Sequence, residues 1–409
     1  MEYDVLIIGS RVAGASLALL LGKCGHRILL IDRDRFPSDT LSTHVVLPQG
    51  VSLLAELGVL EDVEAVGFRR ITRSRTYIDD FIFEGPIGPA GVYYLVPRRN
   101  HLDAILINHA TKQPTVEFWS ETIAEGLIRD QDRVVGAIVR TADDRRHEIR
   151  ARVVVGADGK DSVVAKWVNA PVYDEVPPLR PVYYGYYRGV TALPQTALVL
   201  FFVGNRIGFL FPMQPEVDCL ILELQPEDFA AFRANPKAMF EETFHALPYM
   251  AGRLKSATLD GPIRGTQGVP NCFRKSYGAG WVLTGDAGHV KDSSTGFGIR
   301  DALVQSFLLS DLLDAVFKGA EWDTKLSEFE KTRDRIMQPS YQATLAYTQL
   351  KDLPTEKYGW FRGILANPHL CRAFMQSIAG ALPGAAPEEL RKEIRSMGKL
   401  FGAQEHSSE

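Results

Sequence analysis

The 409-residue sequence predicts an α/β (α+β) fold, in which a Rossmann-like domain is interrupted by an antiparallel-sheet domain and followed by a helical C-terminal region. Three observations support this prediction. Residues 3–32 read as strand, turn, helix and strand, which is a compact β-α-β unit. Residues 182–224 are rich in aromatic and aliphatic strand formers, as expected for a separate sheet. Helical periodicity begins near Phe297 and continues through most of the remaining chain.

These patterns predict domains that are discontinuous along the chain. The first domain comprises residues 1–71, 97–181 and 271–345, and the second comprises residues 72–96 and 182–270. Residues 346–409 form the C-terminal helical region. The segment 72–96 is assigned to the second domain because its aromatic and charged residues alternate, as they do in antiparallel strands.

Composition excludes several classes of protein. The chain is 45% hydrophobic and 23% charged, which is typical of a globular protein. A net charge of −4 and the lack of a long basic block argue against nucleic-acid binding. The four cysteines are scattered and form no C-x-x-C, so we expect no metal site and no disulfide framework, as suits a cytoplasmic location.

The chain also lacks membrane signals. The N-terminal stretch MEYDVLIIG has no basic segment or cleavage site of a signal peptide. No apolar run reaches the ~18 residues of a transmembrane helix. The segment 360–382 mixes aromatic, apolar and basic residues, so it could lie on a membrane surface or pack as a C-terminal helix. We favour the packed helix.

The stretch GSRVAG, from Gly9 to Gly14, joins the first strand to the first helix. Its spacing is that of the dinucleotide fingerprint G-x-G-x-x-G, but the middle position is Arg11. The glycine that usually stands there lets the backbone approach a pyrophosphate closely. Asp32 ends the second strand ~20 residues on, where a carboxylate can accept from a ribose hydroxyl. Alone, the stretch fits a structural glycine turn about as well as a dinucleotide site.

Two later motifs favour the dinucleotide site. Asp158-Gly159 follows the buried strand VVVG; such a pair is often only a turn, but here it lies at a strand end, where open α/β sheets bind ligands. A second buried strand ends at Gly285-Asp286, and the stretch 296–298 (Gly-Phe-Gly) then opens a helix. An acid at a strand end can hold a polyol hydroxyl, and a glycine-rich helix start offers free N–H groups.

Together the three motifs resemble the flavoprotein monooxygenase family with the p-hydroxybenzoate hydroxylase fold, which has a fingerprint, a D-G motif and a G-D motif in this order. The segment GDAGHVKD, residues 285–292, is similar to the branch that contains geranylgeranyl reductases and flavin halogenases. The halogenase segment W-x-W-x-I-P is absent, which disfavours halogenation. Ser293 stands where the family often has a proline.

The resemblance implies FAD as the cofactor and NAD(P)H as a co-substrate, and it implies no metal. It places the cofactor-binding role on residues that match the family motifs: Gly9 and Gly14 at the pyrophosphate, Asp32 at the ribose, Arg99 near the phosphates, Asp158 in the D-G motif, Asp286 at the ribityl or pyrophosphate region, and Gly296, Phe297 and Gly298 at the flavin edge. Arg11, which departs from the motif, and Arg33 are cofactor-binding candidates because of their positive charge near the two phosphates.

Arg11 has two interpretations. Its side chain either turns to solvent or folds over the FAD pyrophosphate, where a charge-assisted hydrogen bond would replace the close backbone approach. We favour the second, because a solvent-facing Arg11 would leave only Arg33 and Arg99 near the two phosphate charges.

The substrate side is predicted less specifically. Most aromatic residues of 182–212 are ordinary core residues, but the family places its substrate between this sheet and the flavin. The substrate candidates are Tyr184, Tyr186, Phe202 and Phe211, which suit a ring system or a prenyl chain. His44 is the catalytic candidate because its loop precedes the helix that lines this site in relatives, although a lone histidine is usually structural.

Three functions remain open. The first is an NAD(P)H-dependent monooxygenase that uses O2 to hydroxylate an apolar or aromatic small molecule through a C4a-hydroperoxyflavin. The second is an FAD-dependent reductase or dehydrogenase of carbon–carbon bonds, as in prenyl reductases. The third is a flavin-binding electron carrier without turnover, which the aromatic sheet disfavours. Substrate identity, nicotinamide preference and oligomeric state are left undetermined.

Overall fold

The computed structural model describes residues 2–42, 44–214, 216–349 and 355–378. Its strands, in chain order, are β1 (Glu2–Ile8), β2 (Ile28–Ile31), β3 (Arg73–Ile78), β4 (Phe81–Pro86), β5 (Val116–Trp119), β6 (Ile123–Asp130), β7 (Arg133–Arg140), β8 (Arg146–Gly156), β9 (Val172–Val176), β10 (Val182–Arg188), β11 (Leu198–Val203), β12 (Arg206–Gln214), β13 (Val217–Glu223), β14 (Thr258–Leu259), β15 (Arg264–Thr266), β16 (Asn271–Arg274), β17 (Tyr277–Gly278), β18 (Trp281–Leu283) and β19 (His289–Val290).

The α-helices are α1 (Val12–Lys23), α2 (Pro48–Leu57), α3 (Leu60–Ala65), α4 (Arg99–Thr111), α5 (Val163–Trp167), α6 (Phe229–Ala234), α7 (Pro236–Ala246), α8 (Met250–Leu254), α9 (Gly298–Phe317), α10 (Trp322–Thr348), α11 (Thr355–Ala366) and α12 (Pro368–Ile378). Short 3-10 turns cover Pro226–Asp228, Gly285–Ala287 and Ser293–Thr295.

The first sheet has a parallel centre, in the order β18-β8-β1-β2-β5. Side chains of β1 alternate between its faces: Val5 and Ile7 join the core beneath α1, α4 and α9, whereas Leu6 and Ile8 join the core on the other side. Parallel strands covered on both faces read as continuous apolar runs, as in the stretch VLII. The predicted fold class is confirmed.

The second sheet follows the order β14-β10-β13-β12-β11-β3-β4, with β15 also paired to β10. Its strands again divide their side chains between two faces. On β10, Tyr184 and Tyr186 belong to one buried cluster, while Tyr183 and Tyr187 belong to another with the helices α6 to α8. We call the face that carries Tyr184 and Tyr186 the inner face of this sheet.

Strands β3 and β4, from the predicted segment 72–96, extend the second sheet through parallel pairing of β3 with β11. The predicted boundary between residues 345 and 346 falls inside the continuous helix α10. The helix continues because buried residues occur on both sides of this point, among them Tyr341 and Thr348. The other domain boundaries stay predictions.

The C-terminal helices α11 and α12 pack on the second sheet. Phe361 and Met375 are buried against Phe83 of β4. This packing agrees with the favoured interpretation of the segment 360–382, although residues 379–382 lie outside the described part of the chain. Among the described residues, no helix is both long and apolar enough to cross a membrane.

Candidate functional site

The turn between β1 and α1 is held by two glycines. Gly9 has a φ of +102°, and a Cβ there would lie 2.4 Å from the carbonyl oxygen of Ala157. A Cβ on Gly14 would lie 1.8 Å from the carbonyl oxygen of Gly9. No side chain caps the start of α1, so its first N–H groups and the helix dipole are open to an anion such as a pyrophosphate.

Asp32 is positioned by this turn. One carboxylate oxygen accepts hydrogen bonds from the amide of Ser10 at 2.7 Å and from its hydroxyl at 3.0 Å. The other oxygen accepts from the amide of Asp34 at 2.9 Å. A carboxylate offers about four lone-pair sites, so Asp32 has capacity left for one ribose hydroxyl.

The side chain of Arg11 is not turned to solvent. Its guanidinium lies 2.7 Å from Asp103 and 2.8 Å from Asp34, with the side chain 21% exposed. Burial opposes the charged form, but the carboxylates of Asp103 and Asp34 outweigh it and raise the pKa of Arg11. Contact of Arg11 with the FAD phosphates stays a prediction. In such a contact, the phosphates would compete with Asp34 and Asp103 for the same guanidinium.

The other two predicted arginines differ in burial. Arg99 is buried at the start of α4 and forms an ion pair with Asp103 at 3.0 Å, one helical turn on. Arg33 is 81% exposed and lies 4.0 Å from Asp34. Asp103 therefore joins Arg11 to Arg99. Its spacing of four residues from Arg99 on a helix could have indicated the pair with Arg99, but no local pattern indicates the pair with Arg11.

Replacing Arg11 with alanine is expected to lower the free energy of unfolding of the FAD-free protein by about 1–3 kcal/mol. The reason is that Asp103 is fully buried and would lose one of its two cationic partners. Chemical denaturation measures the change, with Arg33→Ala as the exposed control. Equal unfolding free energies for wild type and Arg11→Ala would contradict a stabilising ion pair.

A second substitution of Arg11, by glycine, addresses the pyrophosphate. If Arg11 contacts the FAD phosphates, Arg11→Gly should weaken FAD binding and flatten its dependence on salt, because a partly exposed charge pair is screened by salt. If the ion pair with Asp34 and Asp103 is its only role, the folded variant should keep both the affinity and the salt slope of wild type.

The D-G motif lies directly behind the first turn. One oxygen of Asp158 accepts hydrogen bonds from the amides of Val163 at 2.7 Å and Val164 at 3.2 Å, so this carboxylate caps α5. Burial raises the pKa of Asp158, while these and other hydrogen bonds oppose the shift. A direct contact between Asp158 and FAD stays a prediction; the structure gives this side chain a helix-capping role.

The G-D motif meets the same turn from another side. A Cβ on Gly285 would lie 2.8 Å from the side chain of Ala13, so the two segments touch. Asp286 reaches solvent, and its carboxylate has no hydrogen bond to the residues that the structure describes. The surrounding protein still raises its pKa to about 6 by desolvation, and the positive charge of Arg99 opposes the shift. The three motifs thus converge on one place.

The helix start at Gly296-Phe297-Gly298 is flanked by cations. Gly296 has a φ of +67°, which favours glycine, and no side chain caps α9. The ammonium of Lys291 lies 4.9 Å from the centre of the Phe297 ring, and the guanidinium of Arg300 lies 4.6 Å from it. Both cations also form ion pairs with the buried Asp301 in the first turn of α9, so they leave an excess of one positive charge beside the uncapped helix start. This charge can stabilise an anion bound there.

His44 and two tyrosines of the inner face form one group. The His44 Nε2 atom lies 2.6 Å from the Tyr186 hydroxyl, and the His44 ring packs edge-on against Tyr184 and Tyr186. His44 is fully buried with a φ of +61°, a backbone conformation that is uncommon for residues other than glycine. Burial and the positive charge of Arg99 lower the pKa of His44 to about 3.

Sequence reasoning missed the residues that surround this group. The guanidinium of Arg98 lies 4.0 Å from the centre of the Tyr186 ring and 2.8 Å from the carboxylate of Asp39. No sequence signal separates Arg98 from the neighbouring Arg99, because only the tertiary structure shows that their side chains point to different partners.

The two phenylalanine candidates occupy different places. Phe211 packs against Phe209, with 5.5 Å between the ring centres, in the inner-face cluster that also contains Tyr184 and Tyr186. Phe202, at the edge of this cluster, packs edge-on against Tyr347 of α10. Their contact with a substrate stays a prediction.

His44→Asn is expected to make the stability of the protein less sensitive to acid. The native pKa of about 3 lies below the ordinary value of 6.5, so the unfolded chain gains a proton that the native protein excludes. The contribution of the neutral His44 to the free energy of unfolding is therefore complete above about pH 6.5. Below that pH it decreases, by at most ~1.4 kcal/mol per pH unit. Asparagine tolerates the positive φ and removes the titration.

Urea denaturation of wild type and His44→Asn between about pH 7.5 and pH 4.5 measures this difference. Other titrating groups are common to both proteins, so their contribution cancels. Parallel curves of stability against pH would contradict a neutral, buried His44.

Comparison with known proteins adds the following. Residues 2–179 match the FAD binding domain family. A 1H-pyrrole-2-carbonyl-(peptidyl-carrier protein) brominase from Pseudoalteromonas luteoviolacea is 25% identical over 338 residues, 79% of this chain and 80% of that protein. A 6-methylpretetramide 4-monooxygenase from Streptomyces rimosus is 33% identical over 179 residues, 42% of each chain. The structure of the flavin-dependent brominase Bmp2, 20% identical, has the same fold, with a TM-score of 0.79 over 98% of this chain and 100% of that one.

Proposed function

We propose, on the premise that this chain is an FAD-dependent oxidoreductase of the flavoprotein monooxygenase family, that it hydroxylates an apolar or aromatic small molecule with NAD(P)H and O2. One observation carries the proposal. Phe297, at the expected flavin edge, packs against the same inner-face cluster as Tyr184 and Tyr186. An aromatic face is thereby brought next to the segment expected to hold the flavin ring, which suits an apolar substrate between them.

The residues of the three motifs fit FAD. The uncapped start of α1 suits the pyrophosphate, Asp32 has a lone-pair site for the ribose, and Asp286 offers a carboxylate without a hydrogen-bond partner among the described residues. When bound, FAD supplies the redox chemistry, which is hydride acceptance from NAD(P)H and activation of O2.

The chain's own residues supply binding, orientation and electrostatics. Lys291 and Arg300 share the carboxylate of Asp301, and the positive charge left over, with the start of α9, stabilises negative charge near Phe297. The inner-face aromatics exclude water from the substrate side. A hydrogen bond of 2.6 Å joins the neutral His44 to the Tyr186 hydroxyl, and the pair keeps one further hydrogen, which can be donated to a polar substituent of the substrate.

The test is turnover by the FAD-loaded protein. We expect NADH or NADPH oxidation to rise when phenols and polycyclic aromatics are added, and isotopically labelled O2 to enter the product. One arm of the experiment contains bromide, because this chain is similar to a brominase. In that arm a brominated product is the alternative outcome.

The other hypotheses give different results. Conversion of a prenyl substrate under anaerobic conditions, with a carbon–carbon double bond reduced, would replace the monooxygenase proposal with the reductase. No stimulated NAD(P)H oxidation across the whole panel would favour the electron carrier.

A further inference from the structure

A carboxylic acid interrupts the inner face of the second sheet. Glu223 is the last residue of β13, and the residues two, four and six positions before it belong to the inner-face cluster. Since side chains alternate along a strand, Glu223 is on the same face as those residues. It is fully buried.

The carboxyl group of Glu223 is only partly satisfied. One oxygen accepts a hydrogen bond from the Ser293 hydroxyl at 3.4 Å, and the other has no hydrogen-bond partner among the described residues. Burial raises the pKa of Glu223 well above its usual value; the negative charge of Asp292 adds to the shift, and Arg180 opposes it. Burial, and then the negative charge of this acid, raise the pKa of the Tyr347 phenol well above its usual value.

Burying a carboxyl group with one oxygen unpaired is costly, so its presence calls for an explanation. Ser293 suggests one. It begins the 3-10 turn Ser293–Thr295 between the G-D motif and Gly296, and it is partly exposed, whereas Glu223 behind it is not. The pair therefore lies where the predicted flavin segment meets the inner face of the substrate sheet.

The direction of the hydrogen bond decides what Ser293 can bind. A serine hydroxyl has one hydrogen to donate and two lone pairs. Because its hydrogen goes to Glu223, the lone pairs remain for a donor outside the pair. In an otherwise apolar pocket, one such polar contact sets orientation and specificity.

We propose that Ser293 determines substrate specificity, its hydroxyl accepting a hydrogen bond from a phenolic O–H or ring N–H of the substrate. Glu223 is a positioning residue that orients this hydroxyl. The inference rests on the proposed function, because it needs an aromatic substrate to lie between the inner face and the flavin segment. The substrate class is then aromatic compounds that carry a hydrogen-bond donor.

The test compares two probes of similar ring structure, 2-naphthol and 2-methoxynaphthalene, of which only the first carries a donor. Dissociation constants are measured by equilibrium dialysis against the FAD-loaded protein. We expect wild type to bind 2-naphthol about 5- to 10-fold more tightly than the ether, as one hydrogen bond allows. Ser293→Ala should bring this ratio close to 1 and leave the affinity for the ether unchanged.

Glu223 variants separate positioning from mere structural support. Glu223→Gln should keep most of the ratio, because its amide oxygen still accepts from Ser293, whereas Glu223→Ala should lose it. The matched control is Asp218→Asn, a partly buried acid of the same strand that points to the opposite face and whose pKa is raised to about 6 by desolvation. It should leave the ratio unchanged.

Three outcomes would overturn the inference. An unchanged ratio of the two dissociation constants in Ser293→Ala would show that the pocket binds both probes but that this hydroxyl forms no hydrogen bond with the donor group. Loss of the ratio in Glu223→Gln to the level of Glu223→Ala removes the positioning role. Failure of wild type to bind either probe removes the aromatic pocket of the proposed function, and the inference with it.

Discussion

Replacing Gly14 with alanine is expected to abolish FAD binding and to lower the free energy of unfolding by about 3 kcal/mol or more. A Cβ on Gly14 would lie 1.8 Å from the carbonyl oxygen of Gly9. Neither atom belongs to a flexible side chain, so no rotamer change can relieve the contact. The helix α1 must move away from β1, and its first N–H groups would move away from the expected pyrophosphate position.

Chemical denaturation and FAD titration measure the two effects. The control is Gly363→Ala in α11, where an added Cβ meets no atom within 4 Å. That variant should be as stable as wild type or slightly more stable, because alanine is more favourable than glycine in a helix interior by ~1 kcal/mol. Wild-type FAD affinity and stability in Gly14→Ala would show that the turn tolerates a side chain and that the packing argument is wrong.

Asp286→Ala is expected to weaken FAD binding about 10- to 150-fold, which corresponds to ~1.5–3 kcal/mol for a hydrogen bond to a charged group. The Asp286 carboxylate reaches solvent beside α1 and has no hydrogen bond to the described residues, so a cofactor hydroxyl can take that role. FAD dissociation constants for wild type and variant provide the measurement. Equal constants would contradict the assignment.

Asp158→Ala is the matched control. Its carboxylate accepts from two backbone amides at the start of α5, so its loss should cost ~0.5–2 kcal/mol of stability without changing FAD affinity of the folded protein. Asp286→Ala should show the opposite pattern. The native pKa of Asp286 is raised to about 6, so its ionisation opposes folding above about pH 6 and this effect fades below it. Above about pH 6, the FAD-free variant should therefore be no less stable than wild type.

Local structure was largely predictable from the sequence. The β-α-β unit predicted over residues 3–32 is β1, α1 and β2, and the helix predicted near Phe297 is α9. Both follow from short-range rules, which are hydrophobic periodicity and glycine at strand ends. The second sheet was also predictable in outline, because aromatic and β-branched residues favour strands. The domain boundary near residue 345 was not, since α10 is stabilised by contacts with distant segments that periodicity does not show.

The candidate site was predictable only in part. Gly9, Gly14 and Asp286 could be named from their motifs, and the structure shows Gly9 against Ala157 and Gly285 against Ala13, so the motifs share one place. The pairing of His44 with Tyr186 joins residues 142 positions apart, and no local pattern encodes it.

The sequence alone determined the order of the motifs and the elements that carry them, because strand, turn and helix depend on residues close together in the chain. Only the tertiary structure decided which charges meet. It placed Arg11 between Asp34 and Asp103 rather than in solvent, and it set Glu223 behind Ser293. Such pairs depend on how distant segments pack, and burial then determines their strength, because a charge or carboxyl group removed from water interacts strongly with whatever neighbour the fold supplies.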